Sequence, residues 1–170
     1  MTAGASPPGV AQAKGRGVVS DRSAEGVAAG RTEAPFDALS VLVVEDESFT
    51  RMVLAKMLGT LGVKAVHQAA DGESGLAAVA AHSPDLVLCD VEMQPMDGFG
   101  FVRALRASAD SRQRSLPVLF MSGRVDDDRK AQAQDSGADA VLAKPVTPAS
   151  LRDALGIGLR AIELKAGQPA

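Results

Sequence analysis

The chain has 170 residues, enough for one domain with an extension but short for two full domains, and its 46% hydrophobic content is that of an ordinary globular core. A net charge of −3 gives no basic footprint for nucleic acid, the absence of Trp and Tyr leaves base stacking to five Phe, and no apolar run approaches the ~18 residues of a membrane span. The single cysteine, Cys89, excludes an intrachain disulfide and a cysteine-only metal site; Pro and Gly stand where a signal peptide has its apolar stretch, so the expectation is a cytoplasmic protein with no membrane or nucleic-acid partner.

Residues 1–38 are rich in Gly, Ala, Ser and Pro without an apolar period, and read as a disordered leader. From Ser40 apolar runs alternate with helix-like segments. Ser40–Val44 is a β-branched strand ending in acids. Ser48 is positioned to cap a helix through Leu61, with Phe49, Met52, Val53 and Met57 on one side and Gly62 as the stop. Val63–Gln68 is a weaker second strand. Asp71-Gly72 opens a second helix carrying Leu76, Val79 and Ala80. After Pro84, Leu86-Val87-Leu88-Cys89 is a continuous apolar run suited to a strand buried on both faces.

Phe101, Val102 and Leu105 mark a third helix. Pro117 introduces a fourth strand, Val118–Met121, and a polar helix follows from about Asp126 to Asp135, ending at Gly137. Ala140–Ala143 is the fifth strand. Thr147-Pro148 starts a last helix with Leu151, Leu155, Leu159 and Ile162 on one face, where Gly156 and Gly158 predict fraying of the final turns. This fivefold β–α alternation predicts an α/β fold, a doubly wound five-stranded parallel sheet of flavodoxin-like order 2-1-3-4-5 over residues 39–163, with residues 164–170 as a short flexible tail and no second domain after it.

In such a sheet the chemistry lies beyond the carboxyl ends of the strands. Strand one ends in Glu45-Asp46, strand three in Asp90, strand four in Ser122-Gly123 and strand five in Lys144-Pro145. The predicted order makes these four tips adjacent. Carboxylates crowded at one edge repel each other, and a hard divalent cation such as Mg²⁺ relieves the repulsion. Lysine and a serine hydroxyl suit phosphoryl oxygens, and an aspartate can attack phosphorus to form an acyl phosphate. Each group alone has a plainer reading: a helix cap for an acid, a turn residue for Ser122, a solvated charge for Lys144. Their conjunction on adjacent tips points to phosphoryl transfer. Cys89 reads as core packing, and His67 and His82 lack metal-ligand spacing.

The segments VLVVEDE at 41–47, LVLCDVEMQPMDG at 86–98, PVLFMSG at 117–123 and ADAVLAKP at 138–145 resemble the CheY-like receiver domain of two-component response regulators. The resemblance implies that Glu45 and Asp46 hold Mg²⁺, that Asp90 is phosphoacceptor and metal ligand, and that the backbone carbonyl of Glu92 completes the protein's ligands. It implies that Ser122 is the switch hydroxyl, that Lys144 contacts the phosphoryl group, and that the Lys144–Pro145 bond is cis. The implied phosphodonor is a histidine kinase or histidine phosphotransfer protein. The implied output is protein–protein contact with an unknown target through the fourth helix, fifth strand and fifth helix, with phosphorelay or a phosphate sink as further roles. The polar fourth helix is expected to be weakly packed.

Two departures stand out. The family's usual aromatic three residues before the lysine is Val141 here, and the proline after Asp90 comes one place late, at Pro95. Glu92 and Arg124, each two residues beyond a strand-tip residue, are expected either to pair across the pocket mouth and modulate hydrolysis or to stand as separate solvated charges. The other function classes are a receiver-fold binding module that is never phosphorylated and a haloacid-dehalogenase-like phosphatase. The latter uses a comparable acid pair but on its first core strand, and with a cap segment this sequence lacks.

Overall fold

The computed structural model describes residues 35–167. Eleven elements follow in order: β1 Ser40–Val44, α1 Ser48–Thr60, β2 Ala65–Ala69, α2 Gly72–His82, β3 Leu86–Asp90, α3 Gly98–Arg106, the short α4 Ser111–Arg114, β4 Val118–Ser122, α5 Asp127–Ser136, β5 Ala140–Ala143 and α6 Pro148–Ala166. The strands are all parallel in the order β2-β1-β3-β4-β5, as expected from the alternation. No helix among the described residues is long and apolar enough to cross a membrane.

The central strands alternate with period two between the faces of the sheet. Leu42, Val44, Val87, Cys89, Val118 and Phe120 face one core with Val79 of α2, Phe101, Val102 and Leu105 of α3 and Ala133 of α5. Val41, Val43, Leu86, Leu88, Leu119 and Met121 face the other, with Leu54 and Leu58 of α1 and Leu151 and Leu155 of α6. Both faces are covered, so the strands read as unbroken apolar runs. Beyond Ser40 at the amino end of β1, the first polar residues of these central strands fall at the carboxyl tips.

Several expectations are corrected. Glu47, not Ser48, caps α1: its carboxylate accepts from the Thr50 N–H at 2.7 Å and the Phe49 N–H at 3.3 Å. Leu54 and Leu58 form the buried face of that helix, while Phe49 and Met52 lie exposed. Helix periodicity could not choose between them, because α1 carries apolar residues on two sides. In α2, Val79 is buried but Ala80 is exposed. The one-turn α4, capped by Asp110, was not expected at all.

The last helix does not fray at its glycines and runs to Ala166, three residues into the expected tail. A Cβ at Gly158 would lie 2.7 Å from Leu86 Cδ2, so glycine here lets α6 lie close against β3. The expected leader falls mostly outside the described residues. Of its last residues, Phe36 is buried with Leu39 in the α1–α6 core.

Candidate functional site

The carboxyl tips of β1, β3, β4 and β5 lie side by side because those strands are consecutive in the sheet. Glu45 continues β1 and is 1% exposed, Asp90 ends β3 at 3%, and Ser122 ends β4 at 0%; they are three of only four buried polar or charged residues among those described. Asp46 is exposed beside them. One ligand oxygen from each of Glu45, Asp46 and Asp90 lies within 4.8 Å of the others.

Backbone contacts fix each tip. The Arg51 guanidinium of α1 donates to the Glu45 carbonyl at 2.7 Å, and the Glu47 N–H donates to Glu45 Oε1 at 3.1 Å. The chain past Asp90 folds back so that the Gly98 N–H donates to the Val91 carbonyl at 2.9 Å. A Cβ at Gly98 would stand 2.6 Å from the Asp90 carbonyl, so only glycine allows this closure. The Lys144 N–H donates to the Ser122 carbonyl at 2.9 Å, binding the lysine to β4. The Lys144–Pro145 bond is cis, as the resemblance implies; so is Gln94–Pro95, which sequence reasoning did not anticipate.

Lys144 Nζ lies 3.0 Å from Glu45 Oε2 and 3.1 Å from Asp90 Oδ1. Both distances are those of ion pairs, yet both carboxylate oxygens are buried without an aligned hydrogen-bond donor. Burial and the neighbouring Glu45 charge push Asp90 up from 3.8 to about 6, against the opposing pull of Lys144; Glu92 adds a smaller upward push. Burial works against the Lys144 charge, but the two carboxylates outweigh it and hold the ammonium above its ordinary pKa. Two incompletely satisfied buried oxygens beside a third carboxylate form a hard-oxygen donor set that suits a divalent cation of the Mg²⁺ type.

The Ser122 Oγ accepts from the Arg124 N–H at 3.1 Å, which leaves its own proton available to an acceptor in the cleft. Neither alternative expected for Glu92 and Arg124 holds: they do not pair with each other, and neither stands as a separate solvated charge. Arg124 binds Asp126 at 2.6 Å, and Glu92 binds Arg129 at 3.0 Å. Arg124 is two residues from Asp126, the N-cap of α5, and that local pairing prevails over one across the cleft. Val141 pairs with Phe120 in the β4–β5 register and packs into the α3 side of the core. The nearby aromatic is Phe99, edge-on to Phe120 at 5.2 Å.

Sequence reasoning missed Arg129 and Phe99. The signal was present in part: Arg129 is the third residue of a helix, where the macrodipole favours an acid, so a cation there needs a partner. It also missed that His67 and His82 stack at 4.1 Å with planes 9° apart, a parallel arrangement in which both rings cannot aim at one metal.

An open parallel α/β sheet whose adjacent tips carry three carboxylates, a lysine and a buried hydroxyl defines a class: CheY-like switch domains, conventionally phosphoacceptors rather than enzymes. The chain belongs to the response regulator receiver domain family, whose model matches residues 41–156. It is 33% identical over 119 residues to the probable chemotaxis protein CheY of Rhizobium etli, covering 70% of this chain and 91% of that one. It is 34% identical over 119 residues to the transcriptional regulatory protein PdtaR of Mycobacterium tuberculosis, covering 70% of this chain but only 56% of that regulator.

Among solved structures it is similar to the chemotaxis response regulator CheY4 of Vibrio cholerae, with 30% identity, a TM-score of 0.66, and 71% and 98% of the two chains covered. It is also similar to the receiver domain of a sensor histidine kinase from Pseudomonas aeruginosa, whose structure has a magnesium ion coordinated in the active-site cleft; identity is 26%, the TM-score 0.64, and coverage 74% and 98%. The acidic cluster of Glu45, Asp46 and Asp90 fits Mg²⁺-dependent phosphotransfer signalling of this family. Family membership removes the phosphatase alternative.

Proposed function

We propose that this receiver accepts a phosphoryl group on Asp90 from a histidine kinase or histidine phosphotransfer protein and signals through protein contacts. The observation that carries the reading is the pair of buried carboxylate oxygens, Glu45 Oε2 and Asp90 Oδ1, that lack aligned donors beside Lys144. The side chains of Glu45, Asp46 and Asp90 and the backbone carbonyl of Glu92 would hold Mg²⁺. Bound there, the ion supplies charge neutralisation between the acids and an incoming phosphoryl oxygen.

In the transfer, an Asp90 carboxylate oxygen attacks phosphorus, the P–O bond of the acyl phosphate forms, and the P–N bond to the donor imidazole breaks. The departing ring nitrogen takes a proton from solvent. Asp90 must be ionised to attack; its pKa near 6 leaves it mostly so at neutral pH. Lys144, held at 3.1 Å from Asp90, compensates charge on the transferred oxygens. The Ser122 hydroxyl donates to one of those oxygens.

The donor's seat is the groove between α1 and the Lys144-Pro145 loop, of about 450 Å³, lined by Phe49, Val53, Met57, Lys144, Pro145 and Val146. Lys144 lines both groove and acid cluster, so a protein lying in the groove would bring its phosphoryl group to Asp90. Phe49, at 65% exposure, would supply the apolar contact.

The test is intact mass after incubation with acetyl phosphate. One phosphoryl group is gained with Mg²⁺, none without it, and none in Asp90→Asn. Phe49→Ala leaves transfer from acetyl phosphate unchanged and slows transfer from a phosphorylated protein donor at least about tenfold. Failure to take up either acetyl-phosphate phosphoryl or beryllofluoride would make the chain a phosphorylation-independent binding module instead.

A further inference from the structure

One line of contacts ties the loop after Asp90 to α5. Glu92, two residues past Asp90, binds Arg129 of α5 at 3.0 Å. The Glu92 side chain is 60% exposed, but that of Arg129 is only 12% exposed. The Arg129 guanidinium carbon lies 5.4 Å from the centroid of Phe99, which meets Phe120 of β4 edge-on at 5.2 Å. Phe120 is paired with Val141, so Phe99 supplies aromatic bulk on the side where the family's usual aromatic is missing.

This contact holds by a narrow margin. Arg129 Nε is buried with no hydrogen-bond partner. As the third residue of α5, the guanidinium also opposes the helix dipole. A nearly buried cation in this position depends on its counterion. Little else anchors the helix, since Ala133 and Ser136 are its only buried residues.

We propose that the Glu92–Arg129 pair is a latch that holds α5 to the phosphorylation-site loop and opens when Asp90 carries a phosphoryl group; it rests on the phosphoacceptor reading. With Mg²⁺ already held by the acids, an acyl phosphate replaces the single carboxylate charge of Asp90 with an anion of up to about two charges, so the site becomes more negative than it is with the metal alone. Glu92 faces solvent, so it turns outward when that charge appears. Arg129 then loses its counterion in a site where it is desolvated, and it must leave Phe99 for water or for the new anion. Either movement carries the N-terminal turn of α5 with it. An ion pair on the neighbouring helix thus stands in for the aromatic that Val141 replaces.

The test is amide hydrogen exchange over residues 127–136 in the full chain. It compares wild type in Mg²⁺ with wild type in Mg²⁺ and beryllofluoride, and Glu92→Gln and Arg129→Gln in Mg²⁺ without beryllofluoride. Exchange rises at least about fivefold in wild type on beryllofluoride binding, and by a similar factor in both variants without it. Arg129→Gln still gains its phosphoryl group from acetyl phosphate. Glu92→Gln is the stricter variant, because it leaves the sequence of α5 intact; unchanged protection of α5 there overturns the latch. So does a wild-type chain that binds beryllofluoride with α5 unmoved. A wild-type chain that takes neither phosphoryl nor beryllofluoride overturns the phosphoacceptor reading, and the trigger of the latch with it.

Discussion

The two ends of the sheet both bring acids and bases together, and they are finished differently: an acid among bases at one end, a base among acids at the other. At the amino ends of the strands, Asp139 accepts from the Val118 N–H at 2.9 Å, lies 3.0 Å from Lys165 Nζ and 3.4 Å from Arg106. Arg106 in turn donates to the Gly137 carbonyl at 2.8 and 3.1 Å and to the Arg114 carbonyl at 3.1 Å. Asp139 thus has donors from three elements, and the cluster is a clamp joining α3, β4 and α6. At the carboxyl ends, one lysine faces two buried carboxylates and leaves an oxygen of each without an aligned donor. Charge satisfied on all sides stabilises; charge left open is available for chemistry.

The sharpest way to break this contrast is to remove an acid from each end. Asp90 is raised from 3.8 to about 6, so between those values the folded state holds a proton that the unfolded state releases. Stability contributed by that group is therefore present below about pH 4 and is lost as pH rises through about 6. In metal-free buffer at pH 7.5, Asp90→Asn raises stability, by at most about 3 kcal/mol, and flattens the pH dependence in that window. Urea midpoints across pH measure it, and a destabilised Asn variant contradicts it. Asp139→Ala acts in the opposite direction. It strands Arg106 and Lys165 partly buried and costs about 2 kcal/mol, reduced from the value for a fully buried pair because water still reaches both.

A smaller effect comes from packing between the two ends. Gly158→Ala improves helix propensity yet forces a Cβ to within 2.7 Å of Leu86, and the net expectation is a loss of about 1 kcal/mol in thermal or urea unfolding. A gain in stability would mean that α6 shifts freely over β3. The smallest effect belongs to Arg124→Ala. Its pair with Asp126 is solvent-exposed on both sides, and the denaturation midpoint stays where it was.

The sequence makes strands and strand tips legible because one physical rule governs both. Leu86–Cys89 must be apolar to lie between two helical layers, so the first carboxylate after it, Asp90, marks the end of the strand although it is itself buried. The same rule makes Glu45, Ser122 and Lys144 legible as the ends of their strands. Helix faces were less legible: Phe49 and Met52 satisfy a helical period as well as Leu54 and Leu58 do, and only the packed sheet decides which pair is covered. The one-turn α4 is too short for any period. The partner of Glu92 was hidden because Arg129 is 37 residues away, while the sequence-near choice, Arg124, is captured by Asp126. The stacking of His67 on His82 was hidden for a similar reason, since it depends on where α2 ends beside β2.

The central claim is that the open end of the sheet directs a phosphoryl group to Asp90. The most direct measurement is to phosphorylate the chain with acetyl phosphate and Mg²⁺, reduce the acyl phosphate with borohydride, and sequence the resulting peptides by mass spectrometry. Reduction converts the modified aspartate to homoserine. Homoserine at position 90 alone is the predicted result. Homoserine at Asp46, or modification spread over exposed acids with Asp90 untouched, would contradict the account.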